Sequence, residues 1–234
     1  YTSGVLDVLM ENGINLQTTI GTSAGALNGY NYVAGEIGRA AKINLGYRHD
    51  KRYIGAVSLA RNRGVVGFDF LLNDIEEEFP FNRKRFEDPK RRFLVTVTNC
   101  NTGECIYCER GVTADFLKAV RASASMPFAA DMVEVDGVPC LDGGCAAKIP
   151  YRWALENNYE KVLVIRTRPQ PFRRPPESKR FTELSERLYR GYPALVQRLN
   201  SQAEQYNTAC DELDELHRQG RVFMLCPSGS ISIS

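Results

Sequence analysis

The sequence predicts an α/β fold with a mostly parallel sheet and helices on both of its faces. Three observations carry this reading. Segments with apolar residues at helical spacing alternate with short apolar runs at strand spacing. Residues 161–167 form a nearly continuous apolar run, the pattern of a strand buried on both faces. A chain of 234 residues, 43% of them apolar, is long enough for one large domain with a sizeable core.

Residues 4–13 read as a first helix, with Val5, Leu6, Leu9 and Met10 on one face, Thr2 or Ser3 as its cap and Asn12-Gly13 as its end. Residues 16–20 are a short β run, residues 21–25 a turn, and Ala24 opens a second helix. Residues 44–67 are basic and aromatic without a clear period, and residues 71–79 read as helical. Residues 92–97 are a strong strand, and 95–99 with 105–109 form a hairpin around Asn101-Thr102-Gly103. A helix follows over 113–124, capped by Thr113, with Phe116, Leu117 and Val120 on one face and Met126-Pro127 as its stop. Residues 132–139 read as two strands around Asp136-Gly137, 141–144 as a tight turn, and 150–158 as a helix with Pro150 in its first turn. After the strand at 161–167 comes a Pro- and Arg-rich loop, 168–179. Residues 181–220 are charged and largely helical, with a break at Gly191-Tyr192-Pro193, and 221–226 are a last strand. No repeat or low-complexity segment interrupts this order, so residues 1–234 are taken as a single domain.

A formal net charge of +2 does not point to nucleic acid. The local basic runs Arg83-Lys84-Arg85, Lys90-Arg91-Arg92 and Arg173-Arg174 read first as solvated faces and second as contacts for an anionic lipid surface. Seven cysteines without framework spacing predict reduced thiols and a cytoplasmic setting. Cys105 and Cys108 lie three apart on a strand and so point to opposite faces, and no histidine is near, so neither a metal nor another cofactor is expected. No apolar run reaches membrane-spanning length.

The chemistry concentrates in two short stretches. Gly21-Thr22-Ser23-Ala24-Gly25 is a G-x-S-x-G pattern set between a β run and a helix, the context a nucleophilic serine requires. Gly21 and Gly25 let the backbone turn sharply and pack closely. Ser23 then sits at a helix N-terminus, where the Ala24 amide and the helix dipole can stabilise a substrate oxyanion. The plainer reading is a serine that caps an ordinary helix. Neither histidine suits the role of base, since His49 lies in an early charged loop and His217 at a polar helix end. Asp142 is the other candidate. It follows a β run and precedes Gly143 and Gly144, whose freedom allows its carboxylate to approach another loop, and partial burial would raise its pKa toward that of a useful base.

Taken together, the two stretches resemble the patatin-like phospholipases. That family pairs a serine in G-x-S-x-G with an aspartate in D-G-[GA]. Arg121-Ala-Ser-Ala-Ser-Met-Pro127 also resembles its R-A-[ST]-x-A-x-P segment, and Tyr1-Thr-Ser-Gly-Val-Leu6 its first helix. The likeness runs to about Arg168, and residues 181–220 match none of its motifs. The resemblance implies a three-layer sandwich and a Ser-Asp dyad, with Ser23 as nucleophile and Asp142 as general base. Gly21, Ala24, Gly25, Gly143 and Gly144 would serve as oxyanion or structural positions. It also implies a first strand and a glycine-rich oxyanion loop, G-G-G-x-R-G, whose place is ahead of Tyr1.

The implied activity is serine acyl hydrolysis of phospholipids or related esters through an acyl-enzyme, with a lipid or ester as partner and peripheral contact with a membrane. The rivals are an acyltransferase or thioesterase on the same dyad and a non-catalytic lipid-binding protein of the same fold. Phe128, Trp153, Phe172, Tyr189, Tyr192 and Leu195 are candidate linings for an acyl chain, the plainer reading of most of them being core or helix packing, and the loop at 168–176 with the 181–220 helices is expected to cover the site.

Overall fold

The computed structural model describes residues 1–53, 67–72, 74–76 and 78–230. Most of the aperiodic stretch expected at 44–67 lies outside the described residues. Helix α1 (Thr2–Glu11) leads to strand β1 (Thr18–Gly21), then α2 (Ala24–Ala34) and α3 (Arg39–Gly46). Where a helix was expected over 71–79, the chain makes a short α4 (Phe68–Leu72) and a 3-10 turn (Asp74–Glu76), followed by α5 (Arg83–Phe86). Next come β2 (Arg92–Asn99), β3 (Cys105–Glu109), α6 (Phe116–Ser123), β4 (Val133–Val135) and β5 (Val138–Asp142), with a 3-10 turn at Gly143–Cys145. The last part is α7 (Tyr151–Glu156), β6 (Val162–Ile165), α8 (Lys179–Leu188), α9 (Pro193–Asn200), α10 (Gln202–Arg218) and β7 (Val222–Leu225).

The fold is α/β with a sheet flanked by helices, and the sheet is mixed rather than mostly parallel. β1 runs parallel to β2, whereas β3 and β5 are antiparallel to β2 and β4 is antiparallel to β5. β6 and β7 form a separate parallel pair. The cause is local. The turns at Asn101-Thr102-Gly103 and Asp136-Gly137 are too short for a crossover, so each can join only antiparallel strands. Asp136 and Gly137 both take positive φ, 49° and 79°, as the tightest hairpin turn demands.

The register of β2 matters most for the site. Leu94–Thr98 face β3 along one edge. The other edge is shared, with Arg92–Val95 pairing β1 and Val97–Asn99 pairing β5. Gly21 lies opposite Val95 and Asp142 opposite Val97, so the C-terminal ends of β1 and β5 converge on Thr96.

Alternation along β2 divides its two faces. Phe93, Val95 and Val97 are wholly buried in the main core with Ala26, Tyr30 and Val33 of α2 and Ala119, Val120 and Ala122 of α6. Thr96 and Thr98 point the other way, fully buried, and bond to the segments that carry Ser23 and Asp142. β6 and β7 pack Val164, Val222 and Met224 on Tyr151 of α7 and Leu213 and Leu216 of α10. Of the β6 residues only Val164 is buried, so this strand falls short of the two-sided burial its composition suggests. Among the described residues no helix is long and apolar enough to cross a membrane.

Two caps differ from expectation. Thr2 and Ser3 lie inside α1, which has no side-chain cap. α6 is capped by Asp115 rather than Thr113, its carboxylate accepting the Lys118 amide at 2.9 Å. An ionised acceptor at this position satisfies an orphan donor and complements the helix dipole at once.

Candidate active site

Ser23 stands between β1 and α2 with φ 55° and ψ −123°, a conformation unfavourable for a residue with a Cβ. The fold holds it there through several contacts. The Ser23 amide donates to the buried hydroxyl of Ser123, at the end of α6, at 3.0 Å. The Gly25 amide donates back to the Thr22 carbonyl at 2.8 Å, and the Ala26 amide to the Ser23 carbonyl at 2.9 Å. The Thr22 and Thr96 hydroxyls lie 2.7 Å apart and anchor the turn to β2.

The two glycines of the turn are not equivalent. A Cβ on Gly21 would stand 2.6 Å from both the Ala26 Cα and the Gly25 carbonyl oxygen, so α2 can pack this close only over a glycine. A Cβ on Gly25 would meet nothing within 4 Å. Only Gly21 is thus required by close approach.

Asp142 ends β5 and is 6% exposed. Its Oδ2 accepts the Ser23 hydroxyl at 2.5 Å and its Oδ1 accepts the Gly144 amide at 2.7 Å. Its own amide donates to the Ser125 carbonyl at 2.9 Å, and its carbonyl accepts the Thr98 hydroxyl at 2.8 Å. Burial raises the carboxyl above its ordinary value, against the opposing pull of the Ser23 hydroxyl, the Gly144 amide and the Lys148 ammonium. Gly143 leaves no room for a side chain, because a Cβ there would lie 2.1 Å from Thr96 Oγ1. The two motifs are therefore pressed onto the same residue of β2.

Among the described residues the Ser23, Gly25 and Ala26 amides are engaged and the Ala24 amide has no acceptor, leaving it available beside the Ser23 hydroxyl. The histidines lie elsewhere. His217 Nδ1 contacts the Val222 carbonyl at 3.1 Å, and His49 accepts from Arg48 on an exposed turn.

Of the candidate chain-lining residues, Phe128, Tyr189, Tyr192 and Leu195 gather in one apolar cluster with Leu141 and Cys145, which flank Asp142 on either side. Trp153 instead packs between the tilted rings of Tyr107 and Tyr159, and Phe172 meets Tyr206 edge to face. Three contributors, Ser123, Thr96 and Lys148, were not singled out as site residues from sequence. Ser123 lies inside the Arg121–Pro127 motif, so a signal for it existed. Thr96 and Lys148 sit in unremarkable surroundings and acquire their roles only through the fold.

The model of the patatin-like phospholipases matches residues 1–155. The chain belongs to the patatin-like phospholipase family. Patatin-like proteins are in general hydrolases of lipid esters, and residues 156–230 lie beyond the matched region. The chain is also similar to the uncharacterized protein YjjU of Escherichia coli strain K12, with 25% identity over 175 residues, covering 72% of this chain and 48% of that protein. This patatin-like chain therefore spans about half the length of that relative.

Proposed function

We propose that this patatin-like protein is a serine acyl hydrolase that cleaves carboxylic esters of phospholipids or related lipids on a Ser23–Asp142 dyad. The observation that carries the reading is the 2.5 Å hydrogen bond from Ser23 Oγ to Asp142 Oδ2. Ser23 Oγ attacks the ester carbonyl carbon while its proton passes to Asp142 Oδ2. The tetrahedral oxyanion lies toward the N-terminus of α2, within reach of the Ala24 amide. On collapse the alcohol leaves with the proton from Asp142, and the acyl group stays on Ser23. Water then attacks the acyl-enzyme, giving its proton to Asp142, and the carboxylic acid departs as Ser23 is reprotonated.

The raised pKa of Asp142 supports this use, because a carboxylate made costly by burial accepts a proton more readily than a free one. The apolar cluster around Phe128 and Leu195 supports an acyl chain as the substrate's apolar part. The helices from Lys179 onward are proposed to cover the site, a reading favoured by the bond from the Phe128 amide to the Tyr189 hydroxyl at 2.9 Å. Peripheral contact with a lipid surface belongs to the same reading, since an insoluble ester is met only there.

The test compares hydrolysis of short p-nitrophenyl esters and of phospholipid vesicles by the full-length protein and Ser23→Ala. Loss of both activities in the variant, by a factor on the order of 10⁴ or more, is expected. Acyl release on neither substrate by the wild type would favour the non-catalytic lipid-binding reading instead.

A further inference from the structure

We propose that Lys148, held between the Gly144 carbonyl and the Gln202 side chain, is a positioning residue for Asp142. It pins the turn that orients the carboxylate and ties that turn to helix α10. The inference rests on the dyad reading above and adds a residue to it.

The geometry is a chain of four contacts. Ser23 Oγ donates to Asp142 Oδ2 at 2.5 Å, and the Gly144 amide donates to Asp142 Oδ1 at 2.7 Å. On its other side Gly144 offers its carbonyl to Lys148 Nζ at 2.9 Å, and the same ammonium donates to Gln202 Oε1 at 2.7 Å. The Gly144 carbonyl belongs to a single 3-10 turn, Gly143–Cys145, whose last carbonyls lack partners within the turn. A cation folded back over such an end supplies the partner and favourable charge together. Gln202 is the first residue of α10, a helix of 17 residues packed through Leu213 and Leu216 into the β6–β7 core. Through Lys148 the turn beside the base is therefore braced by an element remote in sequence.

Charge acts in the same direction. Facing Asp142 are the Ser23 hydroxyl, the Gly144 amide, Lys148 and the Cys145 thiol. Facing Lys148 are Asp142 and Cys145 on its own segment, Arg174 and Glu177 on the loop before α8, and Gln202 on α10. Glu177 is also held, its carboxylate accepting the Ala203 amide at 2.7 Å. Burial, then Arg174, lowers the Lys148 pKa, and the Lys148 ammonium in turn favours the ionised form of Asp142.

The experiment measures two quantities on the full-length protein. One is the titration of the Asp142 carboxyl by ¹³C NMR, assigned by its loss in Asp142→Asn. The other is the pH profile of fluorophosphonate labelling at Ser23. In Lys148→Met both the carboxyl titration and the acid limb of labelling move to higher pH. Labelling at neutral pH falls by less than the roughly hundredfold or greater loss expected on removal of the base itself. Lys148→Arg, which keeps the charge, remains near the wild type, and Lys148→Gln, which keeps a polar head without charge, follows Lys148→Met and serves if that variant folds poorly. Unchanged titration and an unchanged limb in both neutral variants, whatever their loss of thermal stability, would reduce Lys148 to a helix cap and overturn the inference. A moved Asp142 titration with no labelling of wild-type Ser23 would sink the hydrolase reading and leave the positioning role standing.

Discussion

The amide of Ser23 donates to the hydroxyl of Ser123 at 3.0 Å, across one hundred positions of sequence. This bond joins the N-terminus of α2 to the C-terminus of α6 and helps hold Ser23 at its φ of 55°. Ser123 is wholly buried. Ser123→Ala leaves the Ser23 amide without a partner in a partly buried place, which costs about 1–3 kcal/mol. Chemical denaturation should show that loss, and labelling of Ser23 should slow because the strained turn is less well fixed. A variant with wild-type stability and labelling would show that the bond holds nothing.

The two glycines of the serine turn separate in a stability assay. Gly21→Ala drives a Cβ into the backbone of α2 at 2.6 Å and should cost at least about 1–3 kcal/mol. Gly25→Ala places a Cβ in open space in the first turn of a helix, where alanine is the better former by about 1 kcal/mol. Its melting temperature should equal or exceed that of the wild type. Equal destabilisation by both substitutions would contradict the packing described for Gly21.

Asp142 should make the protein's stability fall with rising pH relative to that of its uncharged isostere. Its folded pKa is raised, so the folded state holds the proton more tightly than the unfolded chain. That contribution is fully present below the ordinary carboxylate value of 3.8 and is lost as pH rises through the folded pKa. Asp142→Asn is neutral throughout and escapes the loss. Thermal melts should therefore show the wild type losing stability relative to the variant as pH rises from the acid range to pH 8. A difference independent of pH would mean that Asp142 titrates alike in both states.

Phe128 makes a further test. Its φ of 68° is unusual for a bulky residue, and it is held by the Tyr189 hydroxyl and by ring contacts with Phe181 and Tyr189 at 5.2 and 5.5 Å. Tyr189→Phe keeps the rings and removes the acceptor for the Phe128 amide, at a cost of about 1–3 kcal/mol. Hydrogen exchange should show faster opening of residues 126–129 and of α8 together. Unaltered exchange in both segments would mean that α8 does not brace this loop.

Much of this was legible in the sequence, for physical reasons that can be named. The hairpin at 95–109 carries a glycine where φ must be positive, at 70° on Gly103, and the helix after Ser23 begins at Ala24 as its motif implies. The motifs also named Ser23 and Asp142, which lie in hydrogen-bond contact. What the chain did not disclose depends on pairing. Nothing in residues 92–99 tells that one edge of β2 serves two strands, yet that sharing brings the two motifs together over Thr96. Lys148 reads as one more surface lysine until α10 folds against it. The two hairpins were legible from their turns, whereas the antiparallel pairing of β5 with β2 was hidden, because period-two alternation marks a strand without revealing which neighbour it meets or in which direction.

The most direct measurement is the rate of fluorophosphonate labelling at neutral pH, with the adduct located by peptide mass, in the full-length wild type and in Asp142→Asn. The proposed dyad predicts a single adduct on Ser23 in the wild type and a rate lower by roughly a hundredfold or more in the variant. An adduct on another residue, or labelling of Ser23 at an undiminished rate without the Asp142 carboxylate, would contradict it.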